Sequence, residues 1–114
     1  MARLFLPLVA ALLIAAPSPV LAGAGNFTIV NATGRDITAL SIRRFGSGSW
    51  QSLSAAPRAG ARGAVVFEDA DCAFDIQATL AGGVTAVWSG VNLCETTAVT
   101  LNRTESGAVW VDYD

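Results

Sequence analysis

The chain has 114 residues, 53% of them hydrophobic, with seven basic and nine acidic residues and no histidine. All seven basic residues are arginine and the one methionine is Met1, so lysine and imidazole chemistry is excluded from the start. One small domain is the ceiling for this length, and the acidic balance argues against a nucleic-acid partner, which calls for a basic surplus.

The first 22 residues have the three parts of an export signal: Met1-Ala2-Arg3, an apolar run from Leu4 to Ala16, and Val20-Leu21-Ala22 as the exit. Pro17 and Pro19 break the run and no charged stop follows, so cleavage after Ala22 is expected rather than a transmembrane anchor. No cysteine sits at the cut and no arginine pair precedes the run, which favours general export to the periplasm or the medium over lipidation or the twin-arginine route. Without Arg3, six arginines face nine acids, and the mature chain of 92 residues carries a net charge of −3.

The mature chain, 23–114, reads as strands throughout. Asn26 to Asn31 carries Phe27 and Ile29, Asn31-Ala32-Thr33-Gly34 is a turn, and Ile37 to Arg44 follows as a strand. Phe45 to Ser49 is a flexible turn, Trp50 to Leu53 a short strand, Ala55 to Gly63 a loop, and Ala64 to Glu68 another strand. From Cys72 to Leu80 apolar and polar residues alternate, the period-two signature of a half-buried strand. Gly82-Gly83 supplies the positive φ angles of a tight hairpin, and Val84 to Ser89 is the return strand. Thr97 to Asn102 and Ala108 to Tyr113 flank a last turn, with Val99 and Leu101 expected to face Val109, Val111 and Tyr113 in the core. About seven short strands with turn signals every 8 to 12 residues predict an all-β fold, a small antiparallel sandwich or barrel.

Two cysteines in an exported chain predict one disulfide, Cys72 to Cys94. The Gly82-Gly83 turn brings Cys72 opposite Asn92 or Leu93, and a bulge near Gly90 would carry Cys94 across from it. A redox or metal pair needs close spacing, and 22 positions separate these two. Asn26, Asn31 and Asn102 each begin an Asn-x-Thr triplet; these are glycosylation acceptors in a eukaryotic secreted protein and turn residues in a bacterial one.

Asn31-Ala-Thr-Gly34 with Ile37 and Leu40, Trp50 after a Gly/Ser turn, Cys72-Ala-Phe-Asp-Ile76 and Gly90-Val-Asn-Leu-Cys94 together resemble a group of short exported bacterial β-rich proteins of uncharacterised function. The resemblance spans nearly the whole mature chain. It implies the β fold and the compartment and brings no catalytic residue with it. Some of the group carry an argininosuccinate lyase label, but a large helical enzyme cannot be built from 92 residues of β pattern without lysine or histidine.

Without histidine, no Ser-His-Asp arrangement, Cys-His pair or His-bearing zinc site can form. Carboxylates remain: Glu68, Asp69 and Asp71 before the central strand, Asp75 pointing outward from it, and Asp112 and Asp114 at the end. A carboxylate pair could serve glycoside hydrolysis, and Asp69 with Asp71 are weak candidates for a calcium site. Turn initiation is the stronger reading of Asp69-Ala-Asp71, because Asp side chains satisfy turn amides. The expectation is therefore no catalytic residue, no metal and no cofactor.

Arg43, Arg44, Arg58 and Arg62 concentrate positive charge around the Phe45 to Gly63 region, and an arginine fork suits an anionic partner. Trp88 shares parity with Val84 and Ala86 and belongs to the core. Trp110 has the opposite parity to its apolar neighbours and is the tryptophan expected at the surface. The resulting expectation is an exported, monomeric, non-catalytic β domain that binds an envelope protein or glycan, as a binding or inhibitor module, through Arg43, Arg44, Arg58, Arg62 and Trp110. A carboxylate-dependent hydrolase and a structural subunit pairing by an edge strand are the alternatives.

Overall fold

The structure, a computed structural model, describes residues 23–114; the leader expected over residues 1–22 lies outside them. The described residues hold eight strands and no helix: β1 Phe27–Ala32, β2 Ile37–Arg44, β3 Gln51–Leu53, β4 Arg62–Val65, β5 Ala73–Leu80, β6 Val84–Asn92, β7 Ala98–Arg103 and β8 Val109–Tyr113. They form two four-stranded sheets, β4-β1-β7-β8 and β3-β2-β5-β6, whose inner faces share one core. The β1, β4 and β7 side of that core is Phe27, Ile29, Val65, Val99 and Leu101; the β2, β5 and β6 side is Leu40, Ile42, Phe74, Ile76, Leu80, Trp88 and Val91. This is the sandwich arrangement in which alternate residues of each strand meet across the gap.

Five of the six strand pairings are antiparallel, but β1 and β7 run parallel, Thr28 beside Ala98 through to Ala32 beside Asn102. The expected antiparallel sandwich is therefore present with one parallel pair inside it. The chain leaves the first sheet after β4, builds the β5–β6 hairpin in the second, and returns to lie beside β1 in the same direction, the long crossover that a parallel pair requires. The fourth strand is Arg62–Val65 rather than Ala64 to Glu68, because β1 pairs with it from Phe27↔Val65 to Val30↔Arg62. Beyond it, the Phe67 amide donates to Asn26 Oδ1 at 2.8 Å instead of to a strand. The Phe67 ring then packs edge-on against both Phe27 and Phe74, closing that end of the sandwich.

The hairpin β5–β6 contains the irregularity that sets the rest. Gly82 and Gly83 turn it at φ +92° and +83°, and the pairing runs regularly from Leu80↔Val84 to Ile76↔Trp88. Phe74 then pairs with Val91, so Ser89 and Gly90 together oppose Asp75. Gly90 has φ +66°, a conformation that favours glycine. The extra residue moves the inward parity from Val84, Ala86 and Trp88 to Val91 and Leu93, all apolar. It also places Leu93 beside Cys72, whose carbonyl accepts the Leu93 N–H at 2.9 Å, and Cys94 closes the expected disulfide with Cys72 at a Cα separation of 5.0 Å.

At the last hairpin, Val99 and Leu101 are fully buried, but of the three residues expected to join them in the core Val111 is only half-buried, and Val109 and Tyr113 are exposed. They pair with β7 side by side, Leu101↔Val111 and Val99↔Tyr113, and β8 is an edge strand. Its inward side chains reach the rim of the sandwich, where the core is already closed by Trp88. The Trp88 Nε1–H donates to the Asn102 carbonyl at 2.9 Å, a direct hydrogen bond from one sheet to the other.

Asn31, at the Asn-x-Thr-Gly turn, is completely buried. Its Nδ2 donates to the carbonyls of Arg35 (2.7 Å) and Pro57 (3.0 Å), and its Oδ1 accepts from the Thr33 amide and hydroxyl at 3.0 and 2.6 Å. One amide thus ties the β1–β2 turn to the loop before β4. Replacing Asn31 with Ala takes the acceptor from the buried Thr33 amide and one of two donors from each of the Arg35 and Pro57 carbonyls, which keep the Thr33 hydroxyl and the Ile37 amide, and should cost about 1–3 kcal/mol in urea unfolding. Replacing Cys72 and Cys94 together with Ser should cost about 3 kcal/mol in the same measurement, from the lost constraint on the unfolded chain.

Candidate binding surface

The five residues expected to contact a partner lie in three places. Arg43, on the outer face of β2, stands directly opposite Asp75 of β5. Its Nε donates to Asp75 Oδ2 at 2.9 Å, and its guanidinium lies 4.4 Å from the centre of the Trp50 ring. Asp75 does point outward from the core as its parity requires, but it is only 2% exposed. Arg43 covers it on one side and the Ser89-Gly90 bulge on the other, with the Gly90 N–H donating to Oδ1 at 3.2 Å. Burial pushes the Asp75 carboxyl up, yet the hydrogen bonds from Arg43 and Gly90 and the Arg43 charge outweigh it and hold the group below the usual carboxylate range.

Arg44 has the inward parity, but it sits at the open end of the sandwich and reaches the β4–β5 connection. Its guanidinium bonds Asp69 Oδ1 at 2.9 Å and lies 3.0 Å from Asp71 Oδ2. Asp69 Oδ1 also accepts the Asp71 amide at 2.9 Å, the turn role read from the sequence. The Arg44 hydrogen bond and the Asp71 amide hold the Asp69 carboxyl low. Asp69 and Asp71 are therefore occupied by an arginine, and no group of three metal-ligating side chains occurs among the described residues.

Arg58, Arg62 and Trp110 lie toward the other end. The turn from Arg58 to Ala61 is closed by the Ala61 N–H to the Arg58 carbonyl at 2.9 Å and joined to β1 by Gly60 N–H to the Asn31 carbonyl at 2.8 Å. Both arginines are exposed. Arg62 pairs with Val30, Val30 with Thr100 and Thr100 with Asp112, so these four form one row across the outer face of the β4-β1-β7-β8 sheet. Ala32, Asn102 and Trp110 form the next row. Arg62 and Trp110 therefore share a face at opposite edges, about 16 Å apart from three strand intervals across and one two-residue step along. Between them the side chains are small: Thr28, Val30, Ala32, Thr100.

Trp110 is 48% exposed. Beside it, Asn102 Nδ2 donates to Asp112 Oδ2 at 3.0 Å, which fixes an amide and a carboxylate next to the ring. The sequence marks Asn102 as the head of an Asn-x-Thr triplet and not as part of a binding surface. The signal for it is the hairpin itself, because alternation about Leu101 and Val111 places Asn102, Trp110 and Asp112 on one face. Around the β8 edge, Trp88, Ser89, Val109, Val111 and Tyr113 line a shallow open hollow, and Tyr113 Oη accepts the Asn92 amide at 3.1 Å.

No family model matches the chain, and no curated protein matches it significantly. A solved structure is similar in fold: an NMR structure of a protein from Eubacterium rectale, 16% identical, with a TM-score of 0.58 over 79% of this chain and 87% of that one. Among the described residues no helix is long and apolar enough to cross a membrane, and the formed disulfide is compatible with an extracellular or periplasmic location.

Because its folded pKa is lowered, Asp75 contributes stability that is fully present above the unfolded carboxylate value of about 3.9 and lost as pH falls through the folded value. Acid titration of urea stability should show that loss in the wild type. Asp75→Asn should be less stable at neutral pH and flatter through the acid range; an unchanged acid slope would contradict the assignment.

Proposed function

We propose that this protein is an exported, non-catalytic binding module of the bacterial cell envelope, and that it binds through the outer face of the β4-β1-β7-β8 sheet. The observation that carries the reading is the placement of Arg62 and exposed Trp110 at the two edges of one flat face floored by small side chains. Arginine and tryptophan are the side chains enriched at binding hot spots, and a rigid sheet presents them at little entropic cost.

Arg43 and Arg44 leave the candidate surface. Each is held by carboxylates of its own chain, so an incoming anion would have to displace an existing partner. Arg58, on the turn next to β4, stays at the rim of the face. The same ion pairs weaken the hydrolase alternative: Asp69, Asp71 and Asp75 are all arginine-bound, and Asp69 and Asp75 are held below the usual carboxylate range, whereas a general acid needs a pKa raised toward the working pH.

Crosslinking and pull-down from an envelope extract test the proposal. The wild type should retain a partner set that the Arg58→Ala, Arg62→Ala, Trp110→Ala triple variant loses and Arg44→Ala keeps. Wild-type retention by the triple variant would remove this face from consideration. Hydrolysis of any envelope substrate, abolished by Asp71→Asn or Asp75→Asn, would overturn the non-enzymatic reading itself.

A further inference from the structure

The chemistry around Trp110 narrows the class of ligand, and the narrowing rests on the binding-module reading above. From the arrangement of the outer sheet face we infer that the ligand is a glycan chain, with one sugar ring laid on the Trp110 indole, its hydroxyls directed at Asp112 and Asn102, and an acidic group further along the chain at Arg62.

Three features of the face point to this class. The first is the balance of donors and acceptors beside the ring. Asn102 Nδ2 and Asp112 Oδ2 are used by each other, while Asn102 Oδ1 and Asp112 Oδ1 accept nothing among the described residues. A preformed pair of open acceptors suits a ligand that brings several hydroxyl donors, and a carboxylate makes the stronger of the two bonds. The apolar C–H face of a sugar supplies the matching contact for an aromatic ring with one apolar surface and a wet rim.

The second feature is what surrounds the ring. The core of a protein–protein contact is rich in large apolar side chains and poor in charge, whereas Trp110 is bordered on its own face by Asn102, Asp112 and Thr100, with Ala32 one strand beyond Asn102 in the same row. A flat floor of threonine, valine and alanine admits a ribbon-like chain lying across the strands. The third is charge. Asp112 and Asp114 make the β8 side of the face acidic and repel a phosphate or carboxylate there, while Arg62, on the far side, forms no ion pair among the described residues. An anionic group is therefore accepted at Arg62 and refused at Trp110, which sets the direction of the chain and calls for an oligosaccharide rather than a single sugar.

The test is an NMR titration of the disulfide-intact mature protein with two soluble probes: a neutral β-linked gluco-oligosaccharide of six rings and an oligo-uronate of the same length. A panel of purified envelope polysaccharides on beads accompanies it. Saturable shifts are expected at Thr28, Val30, Thr100, Asn102 and the Trp110 indole with at least one probe or panel member. Trp110→Ala should weaken that binding about tenfold or more, one hydrogen-bonded or stacked contact's worth. Ala32→Arg, which adds a long side chain to the Trp110 row without altering the ring or the core, should block it while leaving the unfolding midpoint unchanged. Asp112→Asn should weaken any bound sugar, and Arg62→Ala should act on acidic chains alone.

Absence of binding to both probes and the whole panel overturns the inference, as does binding that Trp110→Ala and Ala32→Arg both leave intact. The outcomes separate from those of the broader proposal. If no glycan binds but a protein is still captured from extract in a Trp110-dependent way, the glycan inference fails and the binding-module reading stands; if that capture is also insensitive to Trp110, both fail.

Discussion

The extra residue at Gly90 is the constraint on which most of the domain depends. A two-residue step opposite Asp75 changes the register of β6 by one, and three consequences follow from that shift. The inward parity passes from Trp88 to Val91, so the apolar pattern of β6 stays in the core along its whole length. Cys94 comes within reach of Cys72. The freed Gly90 amide finds Asp75, which allows a carboxylate to be buried on the outer face of a sheet with Arg43 as its counter-ion and Trp50 over the arginine. A β-branched or bulky residue at position 90 would have to adopt a left-handed conformation, and a strand without the bulge would turn Val91 and Leu93 to solvent.

Much of this was legible in the sequence, for reasons that differ from element to element. Ile37 to Arg44 was readable to the residue because it is bounded by a Gly turn and a Gly/Ser turn, and β5 to within one residue, Cys72 to Leu80 against Ala73–Leu80, because of its alternation. The bulge was inferable from the mismatch between the Gly82-Gly83 turn and the cysteine positions, with the parity change at Val91 as an independent sign. The limits of β4 and the burial of β8 were not readable. Ala64, Val65, Val66 and Phe67 look equally strand-like, and only the partner strand β1 decides which four residues pair. In β8, periodicity reports which face a residue is on, but an edge strand that meets only the rim of the opposing sheet half-buries Val111 and leaves Val109 and Tyr113 exposed.

The same distinction governs the charges. Four arginines close in sequence suggested one patch, but alternation along β2 sends Arg43 and Arg44 to opposite faces, and each meets acids supplied from elsewhere in the chain. Asp75 is fixed by strand pairing and Asp69 with Asp71 by a turn, so neither partner could be assigned without the fold. Arg62 and Trp110 are 48 positions apart in sequence and share no local signal. They share a face because β1 and β7 pair in parallel, which puts β4 and β8 at the two edges of one sheet.

The outcome is a division of labour between the two sheets. In the β3-β2-β5-β6 sheet the outer face carries the Arg43, Asp75 and Trp50 cluster, and the adjoining end carries Arg44 with its two acids and the disulfide. Charged and aromatic groups there are directed at one another and hold the register that the core requires. In the β4-β1-β7-β8 sheet the corresponding positions are threonine, valine and alanine, and the groups able to form strong contacts stand at the edges with unused capacity: the Arg62 guanidinium, the Trp110 ring, and the open oxygens of Asn102 and Asp112. A small domain has little stability to spare, and side chains that do not serve the fold are the ones free to serve a ligand. That asymmetry, rather than any single exposed residue, is the physical reason to assign the proposed binding face to this sheet.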